Sequence, residues 1–208
     1  NNLDLEIGII EKAIEAGAHS LSGAIVDPKS LSELFPELSE SDFPFEAPVK
    51  TEKMFYLRES GGKLPFPYIP KAMSHHGCYI ASIGKLTRWL AEKCEQEGID
   101  IFCPFSGDEI LYDENNCVVG IRTGDQGIDK NGNHKPNYEP GVDIKAKVTV
   151  FGEGARGSLT KKLIQKFDLM KDRNPQNWAI GVKELWKMPE GRIQPGYVAH
   201  TMGHPLGH

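Results

Sequence analysis

The sequence predicts a mixed α/β chain in which one layer is crossed over by a β-meander and a second sheet domain is interleaved. Two stretches and the order of what lies around them carry that reading. Residues 148–165, VTVFGEGARGSLTKKLIQ, run as strand, glycine turn and helix: Val148, Thr149, Val150 and Phe151 meet glycines at 152, 154 and 157, and an apolar and cationic segment follows. Residues 5–11, LEIGIIE, make a short apolar strand that finishes on Glu11. The other segments read as strands, a helix, a meander and further strands, with no repeat and no low-complexity run.

The glycine turn has the composition of an anion site. Glycine lets the backbone approach closely, and the N–H groups at a helix start point towards an anion with the positive end of the dipole. Gly152, Gly154 and Gly157 spell GxGxxG, the opening turn of a dinucleotide-binding βαβ unit. Such a turn is followed about 20 residues on by a strand ending in an acid that holds the ribose hydroxyls. Residues 167–175, FDLMKDRNP, are too polar and broken for that strand, whereas Glu11 ends a strand ahead of the turn. Both halves of a nucleotide site are therefore expected, in reversed order. The first glycine turn is then expected to precede Asn1, with the 152 turn a second one returning to the same sheet, so that Glu11 and Gly152 hold one nucleotide from neighbouring strands.

At 208 residues the chain is one large domain or two small ones, long enough to bury a core, and its 39% hydrophobic and 25% charged residues are those of a globular protein. A net charge of -5 with no lysine or arginine stripe argues against a nucleic-acid partner. No stretch approaches the roughly 20 apolar residues of a membrane helix, and the N-terminus has no signal-peptide layout, which leaves a peripheral membrane contact open. Cys78, Cys94, Cys103 and Cys117 have no CxxC spacing and read as free thiols of a reducing compartment rather than as ligands. His200, His204 and His208 share a four-residue spacing, but Gly203, Pro205 and Gly207 make the helix that would align them on a metal implausible.

From the N-terminus, AGAHSLSG (16–23) is a small-residue loop, either a surface turn or a backbone that lies against a flat ligand with His19, Ser20 and Ser22 as polar contacts. Asp27 and Pro28 open a short helix through Phe35, as N-cap and first helical residue. Residues 39–48 are a proline-punctuated connection, and strands are expected at 53–58 and 79–83. Between them KLPFPYIPKAM (63–73) carries three prolines that exclude regular helix and central strand, while Phe66, Tyr68, Ile69 and Met73 stay apolar. It is an exposed apolar lip facing a bilayer or a greasy substrate, or an edge segment packed on the core. Residues 84–98 make the best helix, with Leu86, Trp89, Leu90 and Cys94 at helical spacing and Gly98 as its stop. A strand at 99–103 and a hairpin of 108–113 with 117–123 follow. Residues 124–141 form a longer excursion turning at Gly132 and Asn133, and the chain returns through 142–151. Residues 177–186 and 196–202 are expected strands of the second sheet.

AGAHSLSG (16–23), HHGCYIASIGKLTRWLAEKCEQEGIDI (75–101), VTVFGEGARGSLTKKLI (148–164) and IGVKELWKMPEGRIQPGYVAHTMGHPL (180–206) together resemble the electron transfer flavoprotein-ubiquinone oxidoreductase family, in order and through nearly the whole chain. The resemblance implies an FAD enzyme of the glutathione-reductase-like group with a para-hydroxybenzoate-hydroxylase-type arrangement. It would take electrons from reduced electron transfer flavoprotein and pass them to ubiquinone at the surface of a bacterial cytoplasmic or mitochondrial inner membrane. It implies that Glu11, with Lys12 beside it, holds the adenosine ribose. Gly17, Ala18, His19, Ser20, Leu21, Ser22 and Gly23 would pass close to the flavin and its linker, with Ser82 at the pyrophosphate. Gly152, Glu153 and Gly154 would form the second flavin-contacting turn, and Phe66, Tyr68, Ile69 and Met73 the apolar surface facing quinone and bilayer. The implied division is a FAD-binding domain of residues 1–35 and 75–167 and a quinone-side domain of residues 36–74 and 168–208.

The sequence also departs from the family. Ser82 stands where some members carry arginine, Cys78 where asparagine is usual and His204 where tryptophan is usual. The family's 4Fe-4S ligands lie in a C-terminal ferredoxin-like region outside this sequence, so its four cysteines do not inherit that role. With the amino-terminal GxGxxG also missing, the chain reads as an internal fragment that binds FAD weakly or not at all by itself. No acid, base or nucleophile constellation suggests hydrolysis or group transfer, and no catalytic side chain is assigned. The rival readings are a related FAD-dependent reductase or hydroxylase acting on a polyprenyl or aromatic substrate, and a fragment that binds nothing.

Overall fold

The computed structural model describes residues 5–21 and 23–205. In chain order its elements are β1 (Gly8–Ile10), β2 (Ala24–Val26), α1 (Lys29–Leu34), β3 (Phe45–Pro48), β4 (Thr51–Arg58), β5 (Gly62–Pro65), β6 (Tyr79–Ala81), α2 (Ile83–Gln96), β7 (Asp100–Phe102), β8 (Gly107–Tyr112), β9 (Val118–Thr123), β10 (Gln126–Ile128), β11 (His134–Glu139), β12 (Asp143–Lys145), α3 (Ser158–Phe167) and β13 (Tyr197–Gly203). Cα packing divides them between two compact units, Asn1–Ala16 with Cys94–Gly181 and Gly17–Lys93 with Val182–His208.

In the first unit β1 and β7 pair in parallel, Gly8 opposite Asp100 and Ile10 opposite Phe102. The expected hairpin forms from β8 and β9, and β12 adds antiparallel to β9. Its turn is built by Asp113, whose Oδ1 accepts the N–H groups of Asn115 and Cys117, with Asn116 in the left-handed region. The longer excursion is the hairpin of β10 and β11, with Asp129 Oδ1 accepting from Asn131 and Asn133 across a left-handed Gly132. Helix α3 runs along β8: buried Leu159 packs at Gly107, Lys162 Nζ donates to Asp108 O at 2.7 Å, and Lys166 lies over the Tyr112 ring.

In the second unit β6 takes β2 and β3 on its two sides, both antiparallel. The Trp89 ring of α2 meets Phe35 and Phe43 edge-on at 5.1 and 5.7 Å, and Phe45 stacks on Tyr79. The other sheet is β13-β4-β5, with β13 parallel to β4 in unbroken register from Tyr197 opposite Thr51 to Gly203 opposite Leu57. Met54 and Phe55 are buried there.

Several expectations change. The β-branched run 148–151 is not a strand; Val148 and Val150 are 78% and 87% exposed, and the strand into the turn stops at Lys145. Residues 177–186 are irregular, with Ile180 98% exposed. In both segments the β-forming composition meets no neighbouring strand among the described residues, and a strand without a partner leaves its N–H and C=O groups without ladder bonds. The proline-rich stretch does yield β5, at the sheet edge where proline is tolerated. Pro28 rather than Asp27 occupies the N-cap of α1, although Asp27 Oδ1 still accepts the Lys29 N–H at 3.0 Å. Within the second unit, residues 17–35, 36–74 and 75–93 pack together, with β6 the shared central strand between β2 and β3.

Candidate functional site

Glu11 and Lys12 lie in the first unit, together with Gly152, Glu153 and Gly154. Glu11 follows β1 directly: its N–H donates to Phe102 O at 3.0 Å and its C=O accepts from Phe105 N–H at 2.9 Å, so the chain at Glu11 is held alongside β7. The acid thus stands at the carboxyl end of a parallel strand, the place from which an acid reaches ribose hydroxyls. Its Oε1 accepts the Ala13 N–H at 2.6 Å, which fixes the rotamer. Lys12 is exposed.

In the glycine turn the start of α3 is capped from within. The Glu153 carboxylate accepts the N–H groups of Leu159 at 3.1 Å and Thr160 at 2.6 Å, and the Thr160 hydroxyl at 2.7 Å. The N-terminus of α3 therefore holds an anion supplied by its own turn, and those N–H groups are not free for a phosphate. Burial pushes the Glu153 carboxyl up, but the hydrogen bonds from Leu159, Thr160 and Ser158 outweigh it and hold it below the usual glutamate range. Gly152 and Gly154 stay open: a Cβ built on either meets nothing within 4 Å. Packing does not explain a glycine at 152, whereas the close approach of a ligand would; at 154 the positive φ of 73° requires one. Just before them Thr149 Oγ1 is buried with no hydrogen-bond partner among the described residues.

Gly17, Ala18, His19, Ser20, Leu21, Gly23 and Ser82 belong to the second unit, and Ser22 lies outside the described residues. The loop is irregular, with Ser20 N–H turned back onto Gly17 O. Its smallness has a packing cause at one end: Gly17 has φ 82°, and a Cβ there would lie 2.5 Å from Gly84 O at the start of α2. At the other end the Lys183 ammonium donates to Gly23 O. Ala18, His19 and Leu21 face solvent. Ser82 caps α2, its C=O accepting from Leu86 N–H and its hydroxyl from Lys85 N–H.

On the same unit Phe66, Tyr68 and Ile69 line, with Phe55, Pro65, Pro67 and Glu52, an open depression of about 300 Å³. Tyr68 is 70% exposed, Ile69 and Met73 half-buried. Met73 is not among the lining residues.

A constellation that sequence reasoning missed lies beside it. Glu52 Oε1 is 2.7 Å from His75 Nδ1 and 3.3 Å from His200 Nε2, while Oε2 accepts the His75 N–H at 2.9 Å and the Ser74 hydroxyl at 3.4 Å. The carboxylate is only 10% exposed. Burial raises its pKa, but the bonds from His75 and His200 more than offset this and hold the group at about 2. His200 is in a strand, so the helical alignment with His204 and His208 does not arise; His208 lies outside the described residues.

A family model described as ETF-QO, ubiquinone-binding, matches residues 178–208. Over 206 residues the chain is 43% identical to the electron transfer flavoprotein-ubiquinone oxidoreductase of Pseudomonas aeruginosa, which covers 98% of this chain and 37% of that protein. The mitochondrial proteins of the same name from Dictyostelium discoideum and Bos taurus are each 42% identical over 204 residues, covering 98% of this chain and 33% of theirs. The chain thus spans about a third of the length of these relatives.

Proposed function

We propose that the chain is a part of an electron transfer flavoprotein-ubiquinone oxidoreductase and serves that reaction, passing electrons from reduced electron transfer flavoprotein through FAD to ubiquinone at a membrane surface. The single observation that carries this reading is identity above 40% along 98% of the chain, since a shared turn or strand order would leave the activity open.

FAD supplies the electron-carrying chemistry when bound, and the protein supplies position and electrostatics. We place Glu11, Lys12 and residues 152–154 on the flavin side and Phe66, Tyr68, Ile69 and Met73 on the quinone side. Glu11 accepts the ribose hydroxyls, with Lys12 beside it. Gly152 and Gly154, with no protein atom in the way of a ligand, let the backbone come close, and the orphaned Thr149 hydroxyl is a donor in want of an acceptor. Glu153 acts through the helix it caps, as a positioning residue.

On the quinone side, Phe66, Tyr68, Ile69 and Met73 face the apolar tail, and the 178–208 match adds Ile180, Val182, Leu185 and Trp186, all solvent-exposed apolar side chains. Among the described residues no helix is long and apolar enough to cross a membrane, so the membrane contact proposed is a surface one. A 4Fe-4S cluster does not fit this chain's own residues: Cys78, Cys94, Cys103 and Cys117 form no metal-holding group among the described residues, and no step runs through one here.

The test assays the protein with reduced electron transfer flavoprotein as donor and a short-chain ubiquinone as acceptor. Quinone-dependent oxidation of the donor is expected, with FAD affinity falling about tenfold in Glu11→Ala through loss of a charge-assisted contact. A protein that ignores this donor and is reduced by a nicotinamide instead would be a related reductase or hydroxylase.

A further inference from the structure

We propose that Glu52, His75 and His200 form a divalent metal site of the zinc type, with three protein ligands and a position left for water. The three ligand atoms, Oε1, Nδ1 and Nε2, all lie within 4.8 Å of one another. Tetrahedral zinc with bonds of about 2.0–2.1 Å holds its ligand atoms about 3.3 Å apart. Glu52 Oε1 and His200 Nε2 already stand at 3.3 Å, and His75 Nδ1, at 2.7 Å from the same oxygen, lies about 0.6 Å inside that separation.

The backbone presents these groups together without help from a metal. β4 and β13 are parallel and in register, Val198 opposite Glu52, so Glu52 and His200, two residues further along, project from one face of the sheet. His75 is brought in from the segment before β6 by its own N–H on Glu52 Oε2, and its ring stacks on that of His200 with centroids 5.4 Å apart. Two imidazoles and one carboxylate are the donor set of borderline divalent ions such as Zn²⁺ and Co²⁺. The carboxylate is shielded, while the His75 side chain, 31% exposed, leaves an approach from solvent. In the metal-free protein the same lone pairs are engaged by shared protons. An ion replaces two N–H···O bonds by three bonds to itself once each ring carries its proton on the opposite nitrogen.

The ion would join segments 23 and 125 residues apart in sequence, so occupancy raises the unfolding temperature as well as binding heat. Chelator-treated protein is titrated with Zn²⁺ by calorimetry and with Co²⁺ in visible absorption. One ion per chain, the d–d bands of a four-coordinate Co²⁺ site and a Tm higher by about 5 °C at saturating metal are expected. His204→Ala leaves all three unchanged. His75→Asn, which retains the backbone bond to Glu52, weakens binding at least about tenfold, and His200→Ala does the same. Absence of a stoichiometric ion overturns the site, as does binding that survives His75→Asn undiminished; because His75→Asn removes no buried apolar group, it decides the matter even if His200→Ala fails to fold.

Discussion

Glu153 lies one residue past the first glycine of the 152–157 turn and commits its carboxylate to the N–H groups of Leu159 and Thr160. Its type is visible in the sequence, but its rotamer is not, and the rotamer decides whether the start of α3 offers donors to a ligand or is already satisfied. Replacing it by alanine removes an N-terminal cap, and a loss of about 1 kcal/mol in stability is expected, read as a drop in denaturation midpoint with m unchanged. The pH dependence has a definite sign. Since folding lowers the Glu153 pKa from its ordinary 4.5, the cap contributes fully above that value and is lost as pH falls through the folded one. Wild type is therefore expected to lose stability more steeply in acid than Glu153→Ala, with the two converging at the lowest pH; parallel curves would remove the cap from the account. Glu52 and His75 illustrate the opposite case of legibility: a carboxylate and an imidazole 23 residues apart carry no local pattern, and only the register of β13 on β4 brings His200 to them.

Elements with a strong local signal are where the sequence puts them. α2 has its apolar stripe and its Gly98 stop, α3 its glycine entry, and β8 and β9 their tight turn, each a pattern complete within about fifteen residues. Strands at 148–151 and 177–186 are expected from composition alone, yet a strand is a property of two segments, and composition reports one. In the 63–73 stretch, residues 63–65 belong to β5, an edge strand on β4 that is exposed rather than packed on the core, and Phe66 and Tyr68 beyond it are exposed and line the depression. Since Tyr68 is 70% exposed, Tyr68→Glu should leave thermal stability within about 0.5 kcal/mol of wild type. On the quinone-side assignment it should raise the KM for a short-chain quinone several-fold while kcat with saturating quinone holds. A KM unchanged alongside unchanged stability would take this lip out of the quinone path.

The two compact units exchange chain at 16/17, 93/94 and 181/182, so neither is a continuous piece of sequence. The sequence leads to the expectation of an interleaved second sheet domain divided at 35/36, 74/75 and 167/168; Cα packing instead keeps β2, β3 and β6 together around their shared strand, a grouping that no break in composition marks. The last of the three crossings lies in residues 174–189, which contain no helix or strand and whose side chains are exposed. Backbone of that kind opens at almost no cost and is the preferred place for a protease to enter. Trypsin under native conditions is expected to cut first at Lys187. The piece carrying β13 is then expected to stay attached, because seven residues from Tyr197 to Gly203 remain paired with β4 and His200 remains on Glu52. Denaturing electrophoresis should therefore show two fragments where native size-exclusion shows one particle of the original size. First cleavage elsewhere would mean that 174–189 is covered in solution, and release of the C-terminal piece would mean that β13 adds little to the sheet it completes.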